Sequence, residues 1–111
     1  MDVQRKPIDQ MDVKDFLPTW ELLAQLAEEC CELGQAALKL RRVLDDVNPT
    51  RATFNEALAS FLEEWADVRL VMMQLNIVDE GVVYANMQYK YNRWVTHLRE
   101  HYKEDQDGKA E

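Results

Sequence analysis

The sequence is short of positive charge. Thirteen Lys and Arg stand against 21 Asp and Glu, for a net charge of −8 at pH 7. Coulomb repulsion then opposes binding to nucleic acid or to an anionic membrane surface. It does not oppose a phosphorylated small molecule when divalent cations lie between the two. Cysteine is nearly absent. Cys30 and Cys31 are neighbours in a helical stretch, where adjacent side chains point about 100° apart and so do not bridge each other. They read as two reduced thiols of a cytoplasmic protein. No segment has the run of about 18 apolar residues that a membrane span needs. Residues 1–15 are polar and lack the apolar stretch of a secretory signal. No alternating β pattern, no repeat, no Gly-rich phosphate loop and no Ser/His/Asp set is present.

What is present is helical periodicity. A chain of 111 residues, 47% hydrophobic and 31% charged, is ordinary for one soluble domain. Residues 1–17 read as a loose arm with one helical turn near Asp12 to Phe16. The first long helix is expected over residues 19–46, after Pro18 and before Asn48-Pro49. Its apolar stripe is Trp20, Leu23, Leu26, Ala27, Cys30, Leu33, Ala37, Leu40 and Leu44. Gly34 within it offers close approach to a neighbouring helix or ligand. Thr53-Phe54-Asn55-Glu56 matches a capping box and starts a second helix. Its stripe is Phe54, Leu58, Phe61, Leu62, Trp65, Val68, Met72 and Leu75, and it ends near Val78 before the turn Asp79-Glu80-Gly81. A third helix is expected over residues 82–102, with Val83, Met87, Tyr91, Trp94, Val95 and Leu98 on its apolar side, followed by a disordered tail over 103–111. The fold class is therefore all-α: a single domain over 1–111, an antiparallel bundle of about three main helices. Three helices make an incomplete bundle, which a second chain would complete.

Two acidic pairs interrupt this pattern. Glu29 and Glu32 lie on the first helix, Glu64 and Asp67 on the second. Residues three apart project about 60° apart, one turn along, so each pair points one way. Glu21, Glu28, Glu56 and Glu63 read as ordinary solvated acids. The four pair members differ in two respects. Glu29 shares its face with Leu22, Leu26, Leu33 and Ala36, and Glu64 and Asp67 share theirs with Ala57, Phe61, Val68 and Val71. No Lys or Arg stands three or four residues away to pair with them. Carboxylates at a helix seam without counter-ions repel unless a cation neutralises them. Oxygen ligands of this kind suit a hard divalent cation such as Mg²⁺. Lys39 follows Glu32 by seven residues, on nearly the same face, and serves either a phosphate or the helix C-terminus. Lys90 and Arg93 share a face of the third helix with Asn86 and would suit phosphate oxygens.

Leu-Ala-Glu-Glu-x-x-Glu-Leu over 26–33, Glu-Glu-x-Ala-Asp-Val over 63–68 and Lys-x-x-Arg over 90–93 together resemble the MazG-like all-α nucleotide pyrophosphohydrolases. The resemblance spans roughly residues 20–95. It implies hydrolysis of nucleoside or deoxynucleoside triphosphates to monophosphate and pyrophosphate, in the service of nucleotide-pool house-cleaning, with Mg²⁺, or Mn²⁺ in its place, as cofactor. It implies Glu29, Glu32, Glu64 and Asp67 as metal ligands and catalytic residues, and Lys90 and Arg93 as phosphate contacts. It also implies a homodimer or homotetramer.

The chemistry to be tested is metal-assisted attack of water on the α-phosphorus, with one of the four carboxylates able to accept the proton. Base recognition would use an aromatic face, for which Trp20, Phe61, Trp65 and Trp94 are candidates, each also suited to the core. The rival readings are two. His97-Leu98-Arg99-Glu100-His101 fits an H-x-x-E-H zinc motif but lacks an evident third ligand. A non-enzymatic, dimeric helical interaction module with a structural acidic seam is the other.

Overall fold

The computed structural model of the chain describes residues 6–45 and 47–109. All its regular elements are helical, as expected. The N-terminal arm carries a single 3₁₀ turn, Ile8–Gln10, and then α1, Val13–Phe16. Asp12 starts α1: its backbone N–H donates to Asp15 Oδ2 at 2.8 Å. Lys6 Nζ lies 3.3 Å from the same oxygen. This is the one turn expected near Asp12 to Phe16.

The next helix, α2, spans Thr19–Asp45. The Pro18 carbonyl accepts its first bonds, from the N–H groups of Glu21 and Leu22 at 3.0 and 3.1 Å. Proline serves here because the N–H it lacks would have no partner at a helix start. Asp46, the expected last residue, lies outside the described residues. Asp45 accepts from the Val47 N–H at 3.1 Å as the chain leaves the helix. Phe54–Gln74 form α3. Its cap, Thr53, accepts the Glu56 N–H on Oγ1 at 3.2 Å. The Glu56 carboxylate in turn accepts the Thr53 hydroxyl at 3.0 Å, a variation on the expected capping box. The helix ends at Gln74, four residues before Val78, where the Leu75 N–H turns back to the Met72 carbonyl at 3.1 Å.

The chain divides into two compact units, Met1–Asn76 and Ile77–Glu111, where the sequence reads as one. The second unit is α4, Glu80–Lys109. Asp79 caps it, accepting the Val82 N–H on Oδ1 at 3.2 Å, so the expected turn residues Glu80 and Gly81 form its first turn. The helix also continues past Tyr102, and residues 103–109 of the expected disordered tail are helical. Every α4 side chain with a described exposure is exposed except Val95, which is half-buried.

In the first unit α2 packs on α3. The short link between them makes the pair antiparallel. Leu22, Ala36, Ala57, Val68 and Leu75 form the buried core. Half-buried Leu26, Leu33 and Leu40 flank it from α2, and Leu58, Phe61 and Val71 from α3. The packed face of α2 is thus rotated by about one residue from the expected stripe. Leu22 is 3% exposed, whereas Leu23 is 44% and Trp20 71% exposed. Ala27, Cys30, Ala37 and Leu44 also face outward, as do Phe54, Leu62, Trp65 and Met72 of α3. The physical reason is width. Each helix carries an apolar band broader than one neighbour covers, and the small side chains of Ala36 and Ala57 select the line of contact. Gly34 has no atom near the position a Cβ would take, so no close approach explains it.

Candidate metal centre

The packed face of α2 and α3 is the face on which the acidic pairs lie. Leu22, Glu29 and Ala36 recur every seven residues on one helix, and Ala57, Glu64 and Val68 at seven and four on the other. Folding the pair antiparallel brings Glu29 and Glu32 against Glu64 and Asp67. One carboxylate oxygen from each lies within 4.8 Å of the others. Glu29, Glu64 and Asp67 are half-buried and Glu32 is exposed.

The electrostatics of this group are unrelieved. Among the described residues, ion pairs join Lys6 to Asp15, Arg41 to Asp45 and His101 to Asp105, and none reaches the cluster. Oε2 of Glu29 and Oε2 of Glu64 are buried without a hydrogen-bond partner. The other oxygen of Glu29 accepts from Gln25 Nε2 at 2.8 Å. Repulsion from Glu29, then from Glu64, raises the pKa of Glu32 above its ordinary 4.5. Desolvation and the hydrogen bonds that a protonated Glu32 would give Glu64 and Glu29 act in the same direction. The cluster therefore draws a positive charge, either a proton or a metal ion. The donor set is oxygen only, which fits a hard divalent cation better than zinc or iron. Two buried lone-pair acceptors with no donor are what a cation would satisfy.

Lys39 lies beside this group. With Glu32, Gln35, Ala36, Ser60 and Glu64 it lines a cleft between α2 and α3. The two other basic candidates are on α4, in the second unit. There Lys90, Arg93, Trp94 and His97 line one hollow of about 370 Å³. The guanidinium of Arg93 lies 5.8 Å from the centre of the Tyr89 ring, within cation–π range. Of the aromatic candidates, Trp20, Trp65 and Trp94 are exposed, contrary to a core role, and Phe61 is half-buried. None of the four lines the cleft beside the carboxylates. His101 Nε2 lies 3.8 Å from Asp105 Oδ2, and both histidines are exposed on α4.

Three residues of the site were not singled out from sequence. Gln25 stands four before Glu29, a spacing that makes helix neighbours and could have been read as support for it. Gln35 and Ser60 carry no such signal, because neutral polar residues are common on exposed helix faces. No family model, curated protein or solved structure matches the chain.

Proposed function

We propose that the chain is a divalent-cation-dependent nucleoside triphosphate pyrophosphohydrolase of the MazG-like type, taking ribo- or deoxynucleoside triphosphates to monophosphate and pyrophosphate. The observation that carries this reading is the convergence of Glu29, Glu32, Glu64 and Asp67, with two buried oxygens lacking donors and no cationic side chain paired to any of the four. Mg²⁺, or Mn²⁺ in its place, would supply Lewis-acid activation of water and neutralise charge on the departing phosphates. The four carboxylates would hold the cation. Gln25 holds Glu29 in orientation through its hydrogen bond. One of the four carboxylates would accept the proton of the attacking water. Lys39 contributes positive charge to the phosphate chain from the adjoining cleft. Lys90 and Arg93 are assigned to phosphate on the motif resemblance alone.

The active species in this proposal is a homodimer or homotetramer. The outward Trp20, Leu23, Leu62 and Trp65 are large side chains that one pair of helices leaves uncovered. No helix among the described residues is long and apolar enough to cross a membrane. The two free, exposed thiols of Cys30 and Cys31 fit the reducing cytoplasm. The same exposed apolar faces favour the second reading, a non-enzymatic interaction module. Pyrophosphate release from each ribo- and deoxynucleoside triphosphate in the presence of Mg²⁺ separates the two. Turnover is expected. The absence of turnover of any nucleotide, with no Mg²⁺-dependent rise in melting temperature, rejects the enzyme.

A further inference from the structure

The compact unit that follows Asn76 holds one helix, α4, and the apolar face of that helix is uncovered. Tyr84, Met87, Tyr91, Trp94 and Leu98 recur at steps of three and four. That spacing sets them in one line along the helix. Each is between 51% and 65% exposed. Val83, Val95 and Tyr102 border the line, and of these Val95 alone is half-buried. Tyr89 and Thr96 lie on the far side, about half a turn around the axis. A helix draws most of its stability from packing an amphipathic face and little from propensity. A face of this length therefore calls for a partner.

Two properties fit a second copy of α4 to it. The first is the seam itself. An unbroken three-four repeat is the line along which two helices interlock at a shallow angle. The five seam residues and Tyr102 include four aromatic side chains. Together they offer roughly 700 Å² per copy, so a pair covers about 1,400 Å², within the range of specific interfaces. The second property is the distribution of charge. No acidic residue stands between Gly81 and Arg99, whereas Glu100, Glu104, Asp105 and Asp107 crowd the C-terminal part. Parallel pairing sets the two acidic stretches side by side. Antiparallel pairing about a two-fold axis between Asn92 and Arg93 sets each against the partner's first helical turns. There the unpaired N–H groups carry partial positive charge. In that register Tyr91 meets the partner's Trp94, and Met87 the partner's Leu98. Only Glu80 opposes it, where it meets the partner's Asp105 at the end of the pair.

We propose that α4 pairs antiparallel with α4 of a second copy through the seam from Tyr84 to Leu98. The assignment does not depend on the hydrolase reading. It leaves Tyr89, Arg93 and Thr96 in solvent on the outer side of the pair.

Sedimentation velocity of the full chain across a concentration series tests this. Wild type should pass from monomer to dimer. Trp94→Glu, at the middle of the seam, should weaken the dimer roughly thirtyfold or more, the scale of an interface hot spot. Tyr89→Glu, on the far side, should leave the dimer unchanged. A second measurement needs no seam variant. Lys103→Cys carries a spin label in a chain with Cys30→Ala and Cys31→Ala. Position 103 lies about ten residues from the axis, so antiparallel labels stand about 30 Å apart along the helices. Parallel labels would be separated only across the pair, by about 10 Å between helix axes. A wild type that stays monomeric overturns the proposal, whatever else covers α4. So does a dimer indifferent to Trp94→Glu, or one whose labels lie at the short distance. Triphosphate turnover, present or absent, moves none of these readings, so the two assignments fail separately.

Discussion

Glu29 on α2 and Glu64 on α3 each bury one carboxylate oxygen, Oε2, that no donor reaches. Both belong to the group whose ligand atoms lie within 4.8 Å of one another. A buried acceptor without a partner is costly, and two beside each other at one seam, both negatively charged, are more so. In the proposed function this arrangement trades stability of the free protein for cation affinity, a common pattern at functional sites.

Glu64→Gln tests that trade directly. The carboxamide removes one charge and adds a donor able to reach a neighbouring carboxylate. The metal-free variant should melt at or above the wild-type temperature. It should also lose turnover and the Mg²⁺-dependent rise in melting temperature. A variant that melts lower yet keeps the rise would show that Glu64 is structural.

Acidity provides a second handle. Glu32 titrates above its ordinary 4.5 because of Glu29 first and Glu64 second. A carboxyl whose pKa is raised on folding binds more protons in the native state, so stability falls as pH rises through that window. Metal-free protein should therefore gain stability as pH is lowered toward 4.5. Mg²⁺-saturated protein should not, because proton and cation compete for one cluster. Asp15 acts oppositely and lower. Its pKa is depressed below 3.8, chiefly by the Asp12 backbone N–H. Its contribution is present above 3.8 and is lost only as pH falls through the depressed value. Melting curves against pH, with and without Mg²⁺, should show the upper effect alone responding to the metal. An identical pH profile in both would remove the cluster as its source.

Gln25→Ala removes the donor that holds Glu29 Oε1 at 2.8 Å. Groups that orient a metal ligand commonly contribute about 10–100-fold to affinity. Calorimetric Mg²⁺ affinity should fall within that range, while the metal-free melting temperature changes little. Unaltered affinity would mean that Glu29 is oriented by packing alone.

Leu22 is buried and Leu23 half exposed, so the two report which face of α2 meets α3. Leu22→Ala should cost about 2–4 kcal/mol of unfolding free energy, as for a buried leucine. Leu23→Ala should cost under about 1 kcal/mol in the monomer. Denaturant titration of both variants measures this, and the reverse ranking would mean that α2 is rotated the other way.

The residues themselves determined much of this protein. The cap at Thr53, the end of α2 ahead of Asn48-Pro49 and the lack of β alternation are local signals, carried by side chains within a few residues of where they act. The facing of Glu29 with Glu32, and of Glu64 with Asp67, is likewise local, since one helical turn fixes it. Tertiary structure decided the rest. Periodicity marks an apolar band but not the line within it that a neighbour covers. Packing chose the line of Leu22, Ala36, Ala57 and Val68 over that of Trp20, Leu23 and Trp65, with Ala36 and Ala57 small enough to let the two helices approach. That choice joined the two acidic pairs into one cluster. It also brought Gln35, Lys39 and Ser60 to one cleft, a placement invisible in sequence because contacts between residues 35 and 60 depend on the rotation of both helices about their axes.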